Sequence, residues 1–548
     1  MRKFIYIYLI GIFLLVSCSL LSQTYSIILA RPTDKSITIS ILFDQNVDFY
    51  IEYGTSTNSY KNYTDTKYIN ANITSTNELN NLNPNTKYYY RVNYKTKNVT
   101  NFLSSPEYSF YTQRSIGSSF TFTVESDEHL YDKKGIRNMY QVTLNNQALD
   151  KPDFMLSLGD IFGDDHYPNT ITSKELDLLH KDYRQYLGSI CHSIPFYISL
   201  GNHEGENDFY LNQNPPNNLA IWGTYWRKYY YPNPFPNNFY SGNTDIEPYG
   251  IGSPENYYAW TWGDALFVVL DAYRYQNKNS DKPSNWDWTL GLKQYTWLKN
   301  TLESSTSKYK FVFAHHVRGQ GRGGITNAKL FEWGGYEADG KTYGFDKNRP
   351  GWGKPIHQLF KDNGVNIFFQ GHDHLFAHEI LDGVHYQEVP MPSDSTYNIG
   401  MLANADAYTS DTVDGTGHIS VNVSSSCVKI NYIKAYLPKD TLDGKHKNRE
   451  IGFSYVIGNC LVTGIDEMKK ELTMEEVKIF PNPASSIIQI ILNDPTSKFE
   501  AKLIDALGNV VLNSNQKTIS VRNIPDGVYI IYIQTEKGYK SQKIIINK

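Results

Sequence analysis

Five short stretches of this 548-residue chain collect residue types that bind cations: Asp127-Glu128-His129, Gly159-Asp160, Gly201-Asn202-His203-Glu204, His315-His316 and Gly371-His372-Asp373-His374. Imidazole nitrogen mixed with carboxylate and amide oxygen suits a pair of borderline-to-hard cations, and no thiolate stands among these donors. The chemistry they offer is metal ligation. One Asn-His pair alone is more often a satisfied turn than a ligand site, so the weight lies in the recurrence.

Each stretch follows an apolar run of strand length. Phe120–Val124 precedes Asp127, Phe154–Leu158 precedes Gly159-Asp160, and Phe196–Leu200 precedes Gly201. Lys310–Ala314 precedes His315, and Val365–Phe369 precedes Gly371. Runs of this kind, ended by Gly or polar residues, read as buried strands. Their C-terminal ends are where loops converge and ligands bind in layered α/β folds. Helical stretches over Ile136–Leu149, Ser173–Tyr186, Gly291–Leu302 and Lys354–Phe360 alternate with the strands, which indicates a layered α/β domain.

In this order, Asp-x-His, Gly-Asp, Gly-Asn-His-Glu, Val-x-x-His (Val312 to His315) and Gly-His-x-His resemble the motif series of the calcineurin-like metallophosphoesterases, over residues 115–460. The resemblance implies a β-sandwich flanked by helices. It also implies one metal site of Asp127, His129, Asp160 and His374, and a second of Asp160, Asn202, His315 and His372, with Asp160 bridging. Two cations about 3.5–4 Å apart clamp a phosphoryl group and lower the pKa of a bridging water, which supplies hydroxide for in-line attack on phosphorus. His203 is implied as the general acid that protonates the leaving oxygen. Asp164 is a candidate orienting partner of His203, with a cap or loop role equally open. Arg318 and Arg322 are candidate phosphate ligands or solvated loop residues, and His316 is a candidate substrate contact.

The aromatic strand Tyr257–Trp262, the turn Gly263-Asp264 and the strand Ala265–Asp271 resemble the sheet hairpin of the same enzymes. Two departures separate the chain from the purple acid phosphatase pattern. His129 stands where those enzymes carry Gly, and Gly163 where they carry Tyr. Without that tyrosinate the purple iron(III) colour is not expected, and the two metals stay open among iron, zinc and manganese.

The length calls for several domains. Residues 1–22 carry a basic Arg2-Lys3, an apolar run from Phe4 to Val16 and small residues, and read as a cleaved export signal too short to span a membrane. Leu15-Val16-Ser17-Cys18 also resembles a lipoprotein cleavage box. Residues 23–114 alternate apolar and polar in short runs and read as a small antiparallel β-sandwich. The stretch Leu82–Tyr90 resembles fibronectin type III-like modules, including the one that precedes the catalytic domain in purple acid phosphatases. After a linker at 461–476, residues 477–548 read as a last small β-sandwich. Val477–Ala484, Leu503–Asn509 and Gly527–Ile530 resemble the C-terminal sorting domain of the type IX secretion system of certain Gram-negative bacteria. That resemblance implies passage to the outside of the cell, with the secretion machinery as partner, and argues against the lipoprotein reading.

A net charge of -4 offers no basic footprint for nucleic acid, and no later segment is long and apolar enough to cross a membrane as a helix. Of the four cysteines, Cys427 and Cys460 are the pair expected to join in an exported chain, and Cys191 reads as a buried thiol. His166, His180, His192 and His357 fit no motif and are expected at the surface. The segment Gly205–Pro254, rich in Asn, Pro and aromatic residues, reads as an irregular insertion at the rim of the site. The expected protein is a secreted or cell-surface phosphoesterase acting on phosphate monoesters. A phosphodiesterase and a binding protein with an inert phosphatase fold are the alternatives.

Overall fold

The computed structural model describes residues 25–130, 135–162, 170–276, 284–317, 322–399, 407–460, 477–494, 498–505, 510–535 and 539–548. The export segment with Cys18, the linker 461–476, and Gly163, Asp164, His166 and Arg318 lie outside the described residues. The chain divides into two compact units, Met1–Cys460 and Leu461–Lys548.

The first unit begins with a sandwich of two antiparallel sheets. Tyr25–Ala30, Ile37–Phe43 and Thr74–Leu79 make one, and Val47–Gly54 paired with Lys87–Thr96 is the heart of the other. Alternation puts Ile37, Ile39 and Ile41 against Phe49, Ile51 and Val92 in the core. The polar face is buried as well, because the helix Ser173–Gly188 lies on it. Arg184, fully buried, donates from Nε to Ser26 Oγ at 2.9 Å and from Nη2 to the Ser40 carbonyl at 2.7 Å. The sandwich and the α/β part are therefore joined by hydrogen bonds within one unit.

That helix starts at a capping box between Thr172 and Glu175. Leu176, His180, Tyr183, Arg184 and Leu187 repeat every three or four residues and form its buried stripe. The surface position expected of His180 is thus overturned: it is buried, with Nδ1 2.8 Å from the Tyr231 hydroxyl. His357 is buried too, with Nδ1 2.8 Å from Tyr386 Oη, and His192 is half-buried against the Tyr108 ring at 4.1 Å.

Two large sheets carry the site. In one, Phe196–Ile198, Phe154–Ser157 and Phe120–Glu125 run parallel and are continued by the antiparallel strands Gly417–Val423, Cys427–Lys434 and Ile451–Gly458. In the other, Ala265–Val269, Tyr309–Phe313, Ile367–Gln370 and Val384–Glu388 run parallel. Parallel strands are covered on both faces, which is why these runs read as unbroken apolar sequence. Phe122, Phe154, Trp260, Phe267, Phe313 and Phe369 fill the space between the sheets, with Phe313 and Phe369 stacked at 4.9 Å. Each such ring contributes about 2–3 kcal/mol of burial free energy.

The rim segment is more ordered than its composition suggests. It contains the helices Asp208–Leu211 and Leu219–Tyr230, the second capped by Asn218. Buried Arg227 grips the Glu206 carboxylate from Nε at 2.6 Å and Nη2 at 3.0 Å, so this helix is fastened just after His203. Cys427 and Cys460 are joined in a disulfide, and Cys191 is buried beside Met155.

The second unit is a small two-sheet structure. Val477–Phe480, Ile487–Leu492 and Thr518–Ser520 form one sheet; Val510–Ser514, Phe499–Ile504, Gly527–Thr535 and Tyr539–Ile546 form the other. Ile488, Ile490, Leu503, Ile531 and Ile533 are its core. Among the described residues no helix is long and apolar enough to cross a membrane.

Candidate metal centre

The parallel halves of both sheets end at one rim, and the five stretches meet there. Ligand atoms of Asp127, His129 and His374 lie within 4.8 Å of one another, as do those of Asp160, His315 and His372. A third group of the same span joins His129, Asp160 and His203. Asp160 belongs to two groups: its Oδ2 is 3.0 Å from His315 Nε2 and 3.9 Å from His129 Nε2. Asp127 Oδ1 is 3.3 Å from His374 Nε2. Asn202 and His203 follow Asp160's neighbour Gly201, and the His203 side chain is 22% exposed at the mouth, Nε2 4.0 Å from Asp160 Oδ2.

Glycines permit this convergence. A Cβ at Gly201 would meet Asp160 Oδ1 at 2.2 Å, and one at Gly371 would meet Ser126 Oγ at 1.8 Å. The donor-bearing residues themselves take left-handed backbone: φ is 60° at Asp127, 39° at His129, 58° at Asp160, 78° at His372 and 62° at His374. Non-glycine residues held there cost on the order of 1–3 kcal/mol each and persist only where the surroundings fix them.

The fixing groups are visible. Glu204 Oε2 accepts the backbone N–H of Gly201 at 2.5 Å and of Asp160 at 3.1 Å, and Oε1 that of Ile161 at 3.1 Å. Asp127 Oδ2 accepts from Ser126 Oγ at 2.6 Å and from the His372 N–H at 2.8 Å. His315 Nδ1 donates to the Leu158 carbonyl at 3.0 Å, which orients the ring so that Nε2 faces Asp160.

The electrostatics suit cations. Burial alone would favour protonated Asp127 and Asp160, but the surrounding histidines outweigh it: His374 and His315 hold Asp127, and His315 and His203 hold Asp160, below the usual carboxylate range. Burial opposes a charged His315, yet Asp160 and Asp127 push it up to about 9. Burial holds His372 and His374 below the ordinary histidine range. Asp127 Oδ1 and Asn202 Oδ1 are buried with no hydrogen bond. Buried polar atoms are normally satisfied, so inward-facing oxygens of this kind beside neutral imidazoles fit bound metal ions.

Of the other expected residues, His316 is buried with its ring 4.5 Å from that of His372. Arg322 Nη1 donates to the His372 carbonyl and, at 3.0 Å, to Asp373 Oδ1. Asp164 and Arg318 fall outside the described residues. Glu204 and Asp373 both sit inside the motifs, and their roles had only one sequence signal, an acid flanked by ligands where no ligand was needed.

Convergent Asp and His clusters at the joint rim of two facing sheets make a candidate metal centre. Residues 120–376 match the profile of the calcineurin-like phosphoesterase family, and residues 478–547 that of the secretion system C-terminal sorting domain. The chain thus carries a calcineurin-like phosphoesterase domain and a type IX sorting domain; it is a metal-dependent phosphoric ester hydrolase of secreted or cell-surface location. Among solved structures, the chain is similar to a structure of PhoD at 16% identity and TM-score 0.55, covering 79% of this chain and 90% of that one. It is also similar to the purple acid phosphatase PPD1 from yellow lupin (Lupinus luteus) seeds at 15% identity and TM-score 0.52, covering 79% and 74%. No curated protein matches the chain by sequence.

Proposed function

We propose that the protein is an exported phosphatase that hydrolyses phosphate monoesters at a dinuclear centre, delivered by the type IX machinery to the outside of a Gram-negative cell. The supporting observation is the sharing of Asp160 between two clusters of ligand atoms, Asp160-His315-His372 and His129-Asp160-His203, beside the Asp127-His129-His374 cluster. Asp127, His129, Asp160 and His374 would hold one ion, and Asp160, Asn202, His315 and His372 the other; iron, zinc and manganese all accept this donor set. Two bound cations supply clamping of a phosphoryl group and activation of a water between them.

The chain's own residues do the rest. Asp160 Oδ1 accepts the His203 backbone N–H at 2.8 Å, which fixes the histidine beside the centre. From there Nε2 donates a proton to the leaving oxygen as the phosphorus–oxygen ester bond breaks. His316, packed against His372, borders the substrate. Asp164, which lies outside the described residues, is the candidate acidic partner of His203, with a cap or loop role as the alternative.

Metal analysis of the purified protein followed by a substrate panel tests the reading. Two ions per chain with hydrolysis of monoesters is the expected result. Turnover of diesters alone would make it a phosphodiesterase, and two ions without turnover would make it a binding protein.

A further inference from the structure

Asp373 separates two candidate ligands, and the backbone on both sides of it is left-handed, with φ 78° at His372 and 62° at His374. Its side chain is buried and takes donors from three directions. Oδ1 accepts from Arg322 Nη1 at 3.0 Å, and Oδ2 accepts from the Gly323 N–H at 2.7 Å and from Tyr408 Oη at 2.5 Å. The Asp373 N–H donates to Glu388 Oε1 at 3.1 Å, and Glu388 Oε2 is held in turn by Gln370 Nε2 at 2.7 Å. A turn held in strained backbone needs such fixing, and here the fixing converges on one carboxylate.

Arg322 adds a second tie. The nitrogen that meets Asp373 also donates to the His372 carbonyl, so both sides of the His372-Asp373 peptide unit are engaged by one guanidinium. Arg322 belongs to the segment that follows His315-His316, whose own carbonyl, at His315, accepts the Gly371 N–H at 2.8 Å. The strand-end segments bearing His315 and His372 are therefore joined directly through the Gly371 N–H, and Arg322 adds a tie to the His372 carbonyl. On the other side of the centre, Asp127 Oδ2 accepts from Ser126 Oγ at 2.6 Å as well as from the His372 N–H at 2.8 Å, and none of these bonds joins Asp127 to Arg322.

We propose that Arg322 and Asp373 form a clamp that positions His372 against His315, and so sets the affinity of the second metal ion, the one assigned to Asp160, Asn202, His315 and His372. Arg322 is then a positioning residue rather than a phosphate ligand. The inference rests on the dinuclear reading above. Its physical basis is that residues behind metal ligands orient them, and losing such a partner costs roughly 10–100-fold in metal affinity.

The test uses the full-length purified protein, stripped of metal and titrated with Zn(II), then with Mn(II), with bound metal measured directly. Arg322, whose side chain is 23% exposed, can be replaced without opening the core. Wild type is expected to bind two ions. Arg322→Ala is expected to keep one at wild-type affinity and to bind the other about 10–100-fold more weakly, with activity restored by excess metal. Asp373→Asn, which keeps the side-chain shape, is expected to weaken the same ion. Two ions at wild-type affinity in Arg322→Ala, together with weaker inhibition by inorganic phosphate, would overturn the clamp and make Arg322 a phosphate ligand. Equal weakening of both ions would also overturn it. A wild type holding fewer than two ions would remove the dinuclear centre and the clamp together, whereas an intact wild type beside an unaltered variant removes the clamp alone.

Discussion

The backbone N–H of His203 donates to Asp160 Oδ1 at 2.8 Å. One carboxylate therefore faces the candidate metals with Oδ2 and holds the histidine at the mouth with Oδ1, so metal binding and the placement of His203 depend on the same side chain.

Asp160→Asn removes a charge shared between two ligand clusters. It is expected to impair both ions, and elemental analysis of the purified variant checks this. Two tightly bound ions in the variant would take Asp160 out of the bridging position.

Glu204 accepts three backbone N–H groups from the loops carrying Asp160 and Asn202. Burial, with Asp160 nearby, pushes its carboxyl up to about 7. Glu204→Gln turns an amide NH2 toward those donors and is expected to cost about 2–4 kcal/mol of stability in the metal-free protein. Urea denaturation of wild type and variant measures it, and an unchanged midpoint would show that the loops hold themselves.

What was legible in the sequence follows from burial on both faces. The parallel strands announce themselves as apolar runs, and their ends announce the donors. The direction of Arg322 was not legible, because sequence shows a guanidinium near His315 but not its bonds to Asp373 and the His372 carbonyl. The helix Leu219–Tyr230 was hidden because Arg227 sits on its buried face, paired with Glu206, and breaks the apolar period. His180 was misplaced for a related reason: it lies on a buried stripe and is satisfied there by Tyr231.

His192 stacks on Tyr108 where the first sandwich meets the α/β part, and burial lowers it from 6.5 to about 4. The folded state keeps this ring neutral while the unfolded chain protonates it near 6.5. Its contribution to stability is thus fully present above pH 6.5 and is lost as pH falls toward 4, with a total on the order of 3 kcal/mol. His192→Gln is expected to flatten the pH dependence of the unfolding midpoint in that window. A slope identical to wild type would place the acid sensitivity elsewhere.

The sorting domain forms a compact unit of its own with a separate core. Deleting Val477–Lys548 is expected to leave an active enzyme retained in the periplasm. Activity measured in fractionated cells checks it, and normal delivery of the truncated chain to the surface would contradict the sorting assignment.

His203 separates acid catalysis from metal ligation. Its ring is within reach of the cluster with His129 and Asp160, so a ligand role competes with the proposed proton donor. The two differ in what happens across leaving groups. A general acid matters most when the departing oxygen is strongly basic, so His203→Ala should keep both ions and lose on the order of 10²–10⁴-fold on alkyl phosphates. The loss should shrink for a nitrophenyl ester, whose oxygen leaves as a stable anion. Asn202→Ala removes an oxygen from the second ion and should weaken metal binding for every substrate alike. Steady-state kinetics of both variants on paired substrates, with metal content measured on the same samples, decides the matter. Equal losses on good and poor leaving groups in His203→Ala, with metal lost as well, would make His203 a ligand.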